Sequence, residues 1–325
     1  MTARTPETLS RRLQLVLAAE LAAYVAIGAW LWAGRGWSPV AAVVFCVSIA
    51  LGWRAVGIVV VYAIAWRHHS EVPRDLRLSF LALVPHIVRE WWWWSALYAG
   101  LQAFVHRFAG DDGPPRTAAR RLPVLLVHGY VCNRGVWWWF VRRLLARGEP
   151  VWAVTLEPVY ASIDVLAKVL AARIDELRAA TGMPQIVLVT HSMGGLVARA
   201  YLRDHGGAKI ARLVTLGAPH HGSVHAHLGA GLNGRQMEPG SEWLEALARS
   251  EAPGPTVPFT SIFSVHDNFV APQTSSVHPA ARNVPVAGIG HVSLGFSDEV
   301  VELVAGELAA ANAVVRGAVV EPRAV

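Results

Sequence analysis

Two apolar runs near the amino terminus constrain this chain more than any other feature. Leu13 to Ala33 is interrupted only by Gln14 and Glu20, and Val40 to Trp66 only by Arg54. Each exceeds the roughly 20 residues that cross a hydrocarbon core. A soluble core helix rarely stays apolar on every face for so long, so the pair reads as a transmembrane hairpin and not as buried core. Gly34 to Pro39, with two glycines and a proline, supplies the turn between antiparallel helices. Counted outward from that turn, Glu20 and Arg54 lie at the same depth to within about one residue's rise of 1.5 Å. Isolated charges at such depth are costly and usually face a partner, so these two are expected to pair between the helices.

The arginines orient the hairpin. Arg4, Arg11 and Arg12 precede the first span, Arg67, Arg74 and Arg77 follow the second, and the turn holds only Arg35. The positive-inside rule then puts both ends in the cytoplasm, with whatever follows. Ser10-Arg11-Arg12 before an apolar run also fits a twin-arginine export signal, which would give an exported, membrane-anchored protein. Against that stand a poor cleavage site and the second span that follows at once.

The 325 residues suffice for one large domain beyond this module, residues 1–78. Overall hydropathy is high because the first third is apolar and carries most of the 14 tryptophans. The net charge of +6 comes without a basic stripe interleaved with aromatics, so a membrane surface explains it better and no nucleic-acid partner is expected. Cys46 and Cys132 make no disulfide framework. From Phe80 to Phe108 the apolar character continues but is broken by Pro85, His86, Arg89 and Glu90. Trp91 to Trp94 point to all sides of a helix, which suits the headgroup level, although packing on the following domain is an equal reading. Ala109 to Arg121, rich in Asp, Gly, Pro and Arg, reads as a linker that closes a second segment, 79–121.

Residues 122–325 alternate short apolar strands with helices. Strands are expected at Pro123–Val127, Val151–Leu156, Ile186–Val189, Arg212–Leu216, Phe259–Val265 and Asn283–Ala287. Helices are expected at Ile163–Ala180, Gly195–Asp204 and Asp298–Ala311. Fully apolar strands separated by helices imply a mostly parallel sheet covered on both faces, an α/β fold preceded by an all-α membrane module. The Gly-, Pro- and His-rich stretch 219–258 is expected to cover the sheet's carboxyl edge, where such folds put their sites.

The sharpest chemical signal is Thr190-His191-Ser192-Met193-Gly194-Gly195, between a buried strand and a helix. A serine hydroxyl is a poor nucleophile until a tight turn exposes it beside a base, and such a turn needs small residues two positions either side. Gly194 meets this, whereas Thr190 stands where glycine is usual. Upstream, His128-Gly129-Tyr130 follows the first strand. The backbone N–H groups of Tyr130 and Met193 are the expected oxyanion donors. An acid and then a histidine should follow the serine. Asp267 ends the strand Phe259–Val265, while Asp204 ends a helix and Asp298 comes too late. His291 lies in the glycine-flexed loop after the last strand. His266 would point away from its neighbour Asp267, and His278 precedes that strand.

These residues resemble the lipase and esterase branch of the α/β-hydrolase superfamily, over about residues 122–312. Further motifs are Leu216-Gly217-Ala218-Pro219-His220-His221-Gly222-Ser223, similar to a segment of bacterial triacylglycerol lipases, together with Asp267-Asn268-Phe269-Val270-Ala271-Pro272 and Gly290-His291. The resemblance implies a Ser192–His291–Asp267 triad, an acyl-enzyme and cleavage of acyl esters, with a lipid substrate at a membrane and no cofactor. An acyltransferase or thioesterase could use the same triad, and an inactive scaffold could keep the fold. His220, His221, His225 and His227 lack a carboxylate-bearing ligand pattern, so no metal is expected. Trp137-Trp138-Trp139 suit an acyl pocket, a membrane face or plain helix packing. Cys132, with no evident base, reads as inert.

Overall fold

A computed structural model describes residues 8–108, 121–251 and 257–320, with side chains through 314. Arg4, nearly all of the linker (109–120) and residues 252–256 of the loop-rich segment lie outside the described residues.

Helix α1 (Thr8–Ala29) runs into a π-helical turn, Trp30–Gly34, and α2 (Pro39–Arg67) follows. The Ser38 hydroxyl accepts the Ala41 N–H and Pro39 takes the first helical position, a start that satisfies one orphan donor and removes another. Both helices are long and apolar enough to cross a membrane, and only 6% and 11% of their most apolar stretches are buried. The pairing expected from depth is formed. Arg54 Nη1 and Nη2 donate to Glu20 Oε1 and Oε2 at 2.8 and 2.7 Å, a bidentate fork. The Tyr24 hydroxyl and Trp53 Nε1 donate to the same carboxylate.

Helix α3 (Phe80–Ala96) continues through a second π-helical turn, Leu97–Leu101, to the short α4 (Val105–Phe108). At 3.6 residues per turn four consecutive tryptophans cannot share one face, and the run is split. Trp93 stacks on Phe296 with centroids 4.2 Å apart, and Glu90 and Leu97 are fully buried on that side. Phe80, Leu81, Val88 and Trp92 remain exposed. One face is therefore packed, and the other carries the surface apolar character.

The remaining elements, in order, are β1 (Val124–Val127), α5 (Trp138–Ala146), β2 (Val151–Val154), α6 (Ile163–Thr181), β3 (Ile186–His191), α7 (Met193–His205), β4 (Ile210–Leu216), α8 (Gly231–Gln236), α9 (Glu242–Ser250), β5 (Phe259–Ser264), β6 (Arg282–Val286) and α10 (Asp298–Val320). The strands form one parallel sheet in the order β2-β1-β3-β4-β5-β6. Alternate side chains feed two cores. Leu126 and Val189 pack with Phe140 of α5 and Val304 of α10, while Leu125 and Leu188 pack with Leu166 of α6 and Val197 of α7. Burial on both faces explains why these strands are apolar throughout.

Two expectations needed adjustment. The helix after Ser192 begins at Met193, without the spacer residues read into the sequence. Part of 219–258 is a layer of the fold and not a cover. Helix α9 buries Leu244 and Leu247 in the same core as α7, because parallel β4 and β5 must be joined by a crossover.

Candidate active site

Strand β3 ends at His191 and α7 begins at Met193, so Ser192 alone makes the turn. It does so at φ 56°, ψ −129°, a conformation that costs an L-residue about 1–3 kcal/mol. The crowding around it explains the neighbouring glycines. A Cβ on Gly129 would lie 2.7 Å from Ser192 Cβ, and one on Gly194 would lie 2.6 Å from the Val127 carbonyl oxygen. Thr190 fits because it points to β4, where its Oγ1 donates to the Val214 carbonyl at 3.5 Å.

Asp267 lies just beyond β5. Its Oδ1 accepts the Phe269 and Val270 N–H groups at 2.8 and 2.7 Å, and its Oδ2 is 2.7 Å from His291 Nδ1. That contact leaves Nε2 as the free ring nitrogen. Asn268 Oδ1 accepts the His291 N–H at 2.9 Å, and His191 Nε2 donates to the His291 carbonyl at 2.9 Å. Burial pushes the His291 pKa down, but the Asp267 charge and hydrogen bond, helped by Glu90, outweigh it and leave the pKa raised. Burial holds His191 down at about 3, so it stays neutral. Ser192 and His291 line the same pocket without a hydrogen bond between them, a contact that commonly tightens only with substrate.

His128 is buried under the early loop. Its Nε2 accepts the Leu156 N–H at 2.8 Å, so Nδ1 carries the proton and donates to the Gly129 carbonyl at 2.9 Å. Burial pushes this ring down to about 4, which keeps it neutral in that role. Tyr130 lines the pocket, and its hydroxyl bonds the Ala230 carbonyl and N–H, both at 2.7 Å. The Met193 N–H opens α7, where a helix leaves its first donors unsatisfied.

The pocket, about 300 Å³, is mostly apolar and includes residues the sequence reading kept apart from the site. Val61 comes from α2, Trp94 from α3, and Leu97 and Tyr98 from the turn beyond it. Leu228, Met237 and Phe269 line it as well. Glu90 was also missed, and its only sequence signal is a lone carboxylate in an apolar run. The competing histidines are elsewhere: His266 Nδ1 accepts the Gly288 N–H, and His278 lies 3.5 Å from Glu251. His220 meets Thr215 and Arg199, His221 the Val277 carbonyl, His225 the Val61 carbonyl and His227 Glu238. Of the tryptophan triplet, Trp137 is fully buried edge-on to His191, and none of the three lines the pocket. Cys132 does line it, with its thiol pushed up to about 12 by burial.

Residues 161–246, from the start of α6 into α9 and including Ser192, match the family model described as a PGAP1-like alpha/beta domain. The chain is 32% identical over 117 residues to a triacylglycerol lipase of Pseudarthrobacter phenanthrenivorans, covering 34% of this chain and 36% of the relative. A triacylglycerol lipase of Burkholderia plantarii is also 32% identical over 117 residues, covering 34% and 32%. The chain thus spans about a third of the length of the curated relatives it matches. Among solved structures, the mature form of a Bacillus licheniformis lipase superposes with a TM-score of 0.55 at 17% identity, covering 61% of this chain and 96% of that one. With its six-stranded parallel sheet flanked by helices, the chain has the α/β-hydrolase fold, and the proteins it is similar to include lipases.

Proposed function

We propose that this chain hydrolyses carboxylic esters with lipid-like acyl groups, with Ser192 as nucleophile, His291 as general base and Asp267 as its acidic partner. The observation that carries this reading is the strained Ser192 turn in one apolar pocket with a His291 ring already bonded to Asp267. His291 Nε2 takes the Ser192 proton as Oγ attacks the ester carbonyl, and Asp267 holds the tautomer and stabilises the imidazolium. The carbonyl oxygen gathers charge against the N–H groups of Tyr130 and Met193. His291 then protonates the leaving alcohol and activates water to free the acyl group.

The same reading puts α1 and α2 across a membrane, with the α/β body on the cytoplasmic side. Supporting it, the body meets the open, arginine-flanked end of the hairpin. Asn133 Nδ2 donates to the Ser10 hydroxyl at 3.0 Å, and the Leu9 N–H donates to Glu157 Oε1 at 3.2 Å. Beyond α2, the Ser70 N–H donates to Gln273 Oε1 at 2.9 Å. Residues that the body uses for hydrogen bonds are poor candidates for a removable signal.

The test uses the full chain in detergent, with a fluorophosphonate label and p-nitrophenyl esters of graded length. Ser192→Ala should lose both labelling and hydrolysis while keeping its thermal melt. More than a few per cent of wild-type turnover in that variant overturns the assignment. Acyl transfer to added alcohol outrunning hydrolysis would move it to the acyltransferases.

A further inference from the structure

Glu90 belongs to α3, outside the α/β sheet, yet it is 0% exposed and sits under the loop that carries His291. Its Oε1 accepts the Val292 N–H at 2.8 Å. Its Oε2 accepts the Ser293 N–H at 2.9 Å and the Ser293 hydroxyl at 2.6 Å. Burial leaves the Glu90 pKa raised, against the opposing pull of the three donors that converge on its two oxygens, an arrangement an ionised, acceptor-only carboxylate fits. Among the described residues no lysine or arginine pairs with it, so this carboxylate is buried without a counter-ion. Burying such a group is costly, and a structural bond to two backbone N–H groups does not require a charge.

Its position gives the charge a use. Val292 and Ser293 directly follow His291, whereas the loop before it is held at Gly288 by His86, Arg89 and His266 and at the His291 N–H by Asn268. Asp267 fixes the ring at Nδ1 but not the backbone that carries the ring beyond it. A Cβ on Gly290 would lie 2.3 Å from Glu90 Oε2, so the carboxylate touches the loop on both sides of the histidine. Resting on Ser192, His291 and Asp267 as the reactive set, we propose that Glu90 is a positioning residue for the base. It clamps residues 291–293 so that Nε2 faces the pocket, and its negative charge joins that of Asp267 in favouring the imidazolium formed when the Ser192 proton moves to Nε2. The helical amino-terminal segment thereby completes the active site of the α/β body.

The titratable groups around the His291 ring are Asp267, Glu90, His191 and His225, while His86, Arg89 and His266 surround the Gly288 end of its loop. His191 and His225 are both held down by burial, so they stay neutral where His291 titrates.

Glu90→Gln keeps the size and removes the charge. In the full chain with p-nitrophenyl butyrate, kcat should fall at least tenfold with KM changed less than threefold. The acid limb of kcat/KM should move to lower pH, because an imidazolium without the second carboxylate forms less readily. A kcat within twofold of wild type overturns the proposal, and so does a fall in kcat with an unmoved limb, since loss of packing alone would give that. If Glu90→Gln does not reach the wild-type melt, Ser293→Ala decides. Removing the hydroxyl donor makes Glu90 harder to ionise, so the limb should shift the same way with a few-fold lower kcat, and no change overturns the proposal. An unaltered Glu90→Gln beside a dead Ser192→Ala discards Glu90 alone. An active Ser192→Ala discards the reactive set beneath it.

Discussion

His291 is pulled two ways, with burial favouring the neutral ring and the carboxylates of Asp267 and Glu90 favouring the imidazolium, and the carboxylates prevail. A general base must be neutral to accept a proton, so the raised pKa works against activity on the acid side. Hydrolysis should therefore be lost as pH falls through a value above the ordinary 6.5, and a kcat/KM profile with its limb at or below 6 would count against His291 as the base. His291→Ala should lose about as much activity as Ser192→Ala, about 10⁴-fold or more, because such residues act as a unit. Asp267→Asn should retain more, and His278→Ala should stay near wild type; the reverse order for the two histidines would transfer the role. That Ser192, Asp267 and His291 would meet was legible because the proposed chemistry depends on order along the chain and on the ends of apolar strands. Glu90 was not, since its partners lie 202 and 203 residues away and nothing local marks a carboxylate that will dock under a distant loop.

At the scale of elements, periodicity and interruption carried most of the information. The Glu20–Arg54 fork could be read from the sequence because a hairpin maps residue number onto depth, leaving two opposite charges one way to meet. Glu20→Arg and Arg54→Glu should each destabilise the hairpin by about 3 kcal/mol, the insertion cost of an unmatched charge. The double swap should recover much of the loss in detergent or bilayer unfolding. Equal melts for singles and double would leave the pair without a stabilising role. Helix α3 was half legible: its apolar content was plain, but which tryptophan faced the body depended on Phe296, an aromatic contributed from the far end of the chain. Helix α9 was obscured by its surroundings, since glycine and proline on either side masked nine residues that bury only Leu244 and Leu247.

The molecule as a whole joins two modules that the sequence presents as separate. The pocket is lined both by α2, α3 and the turn beyond and by the loop-rich segment after β4. Apolar walls of this kind should make medium and long acyl esters better substrates than acetate, and a steady fall in kcat/KM from acetate upward would contradict this. Val61 has a further consequence. It lies six residues before Arg67, the end of α2, about 9 Å along the helix axis. With the hairpin in a bilayer as proposed, the same helix both inserts and lines the pocket, so the nucleophile rides at a fixed height and has no tether on which to search. Such an enzyme would sort lipids by how deep their ester bonds lie, a ruler set against the membrane, before it ever read the head group.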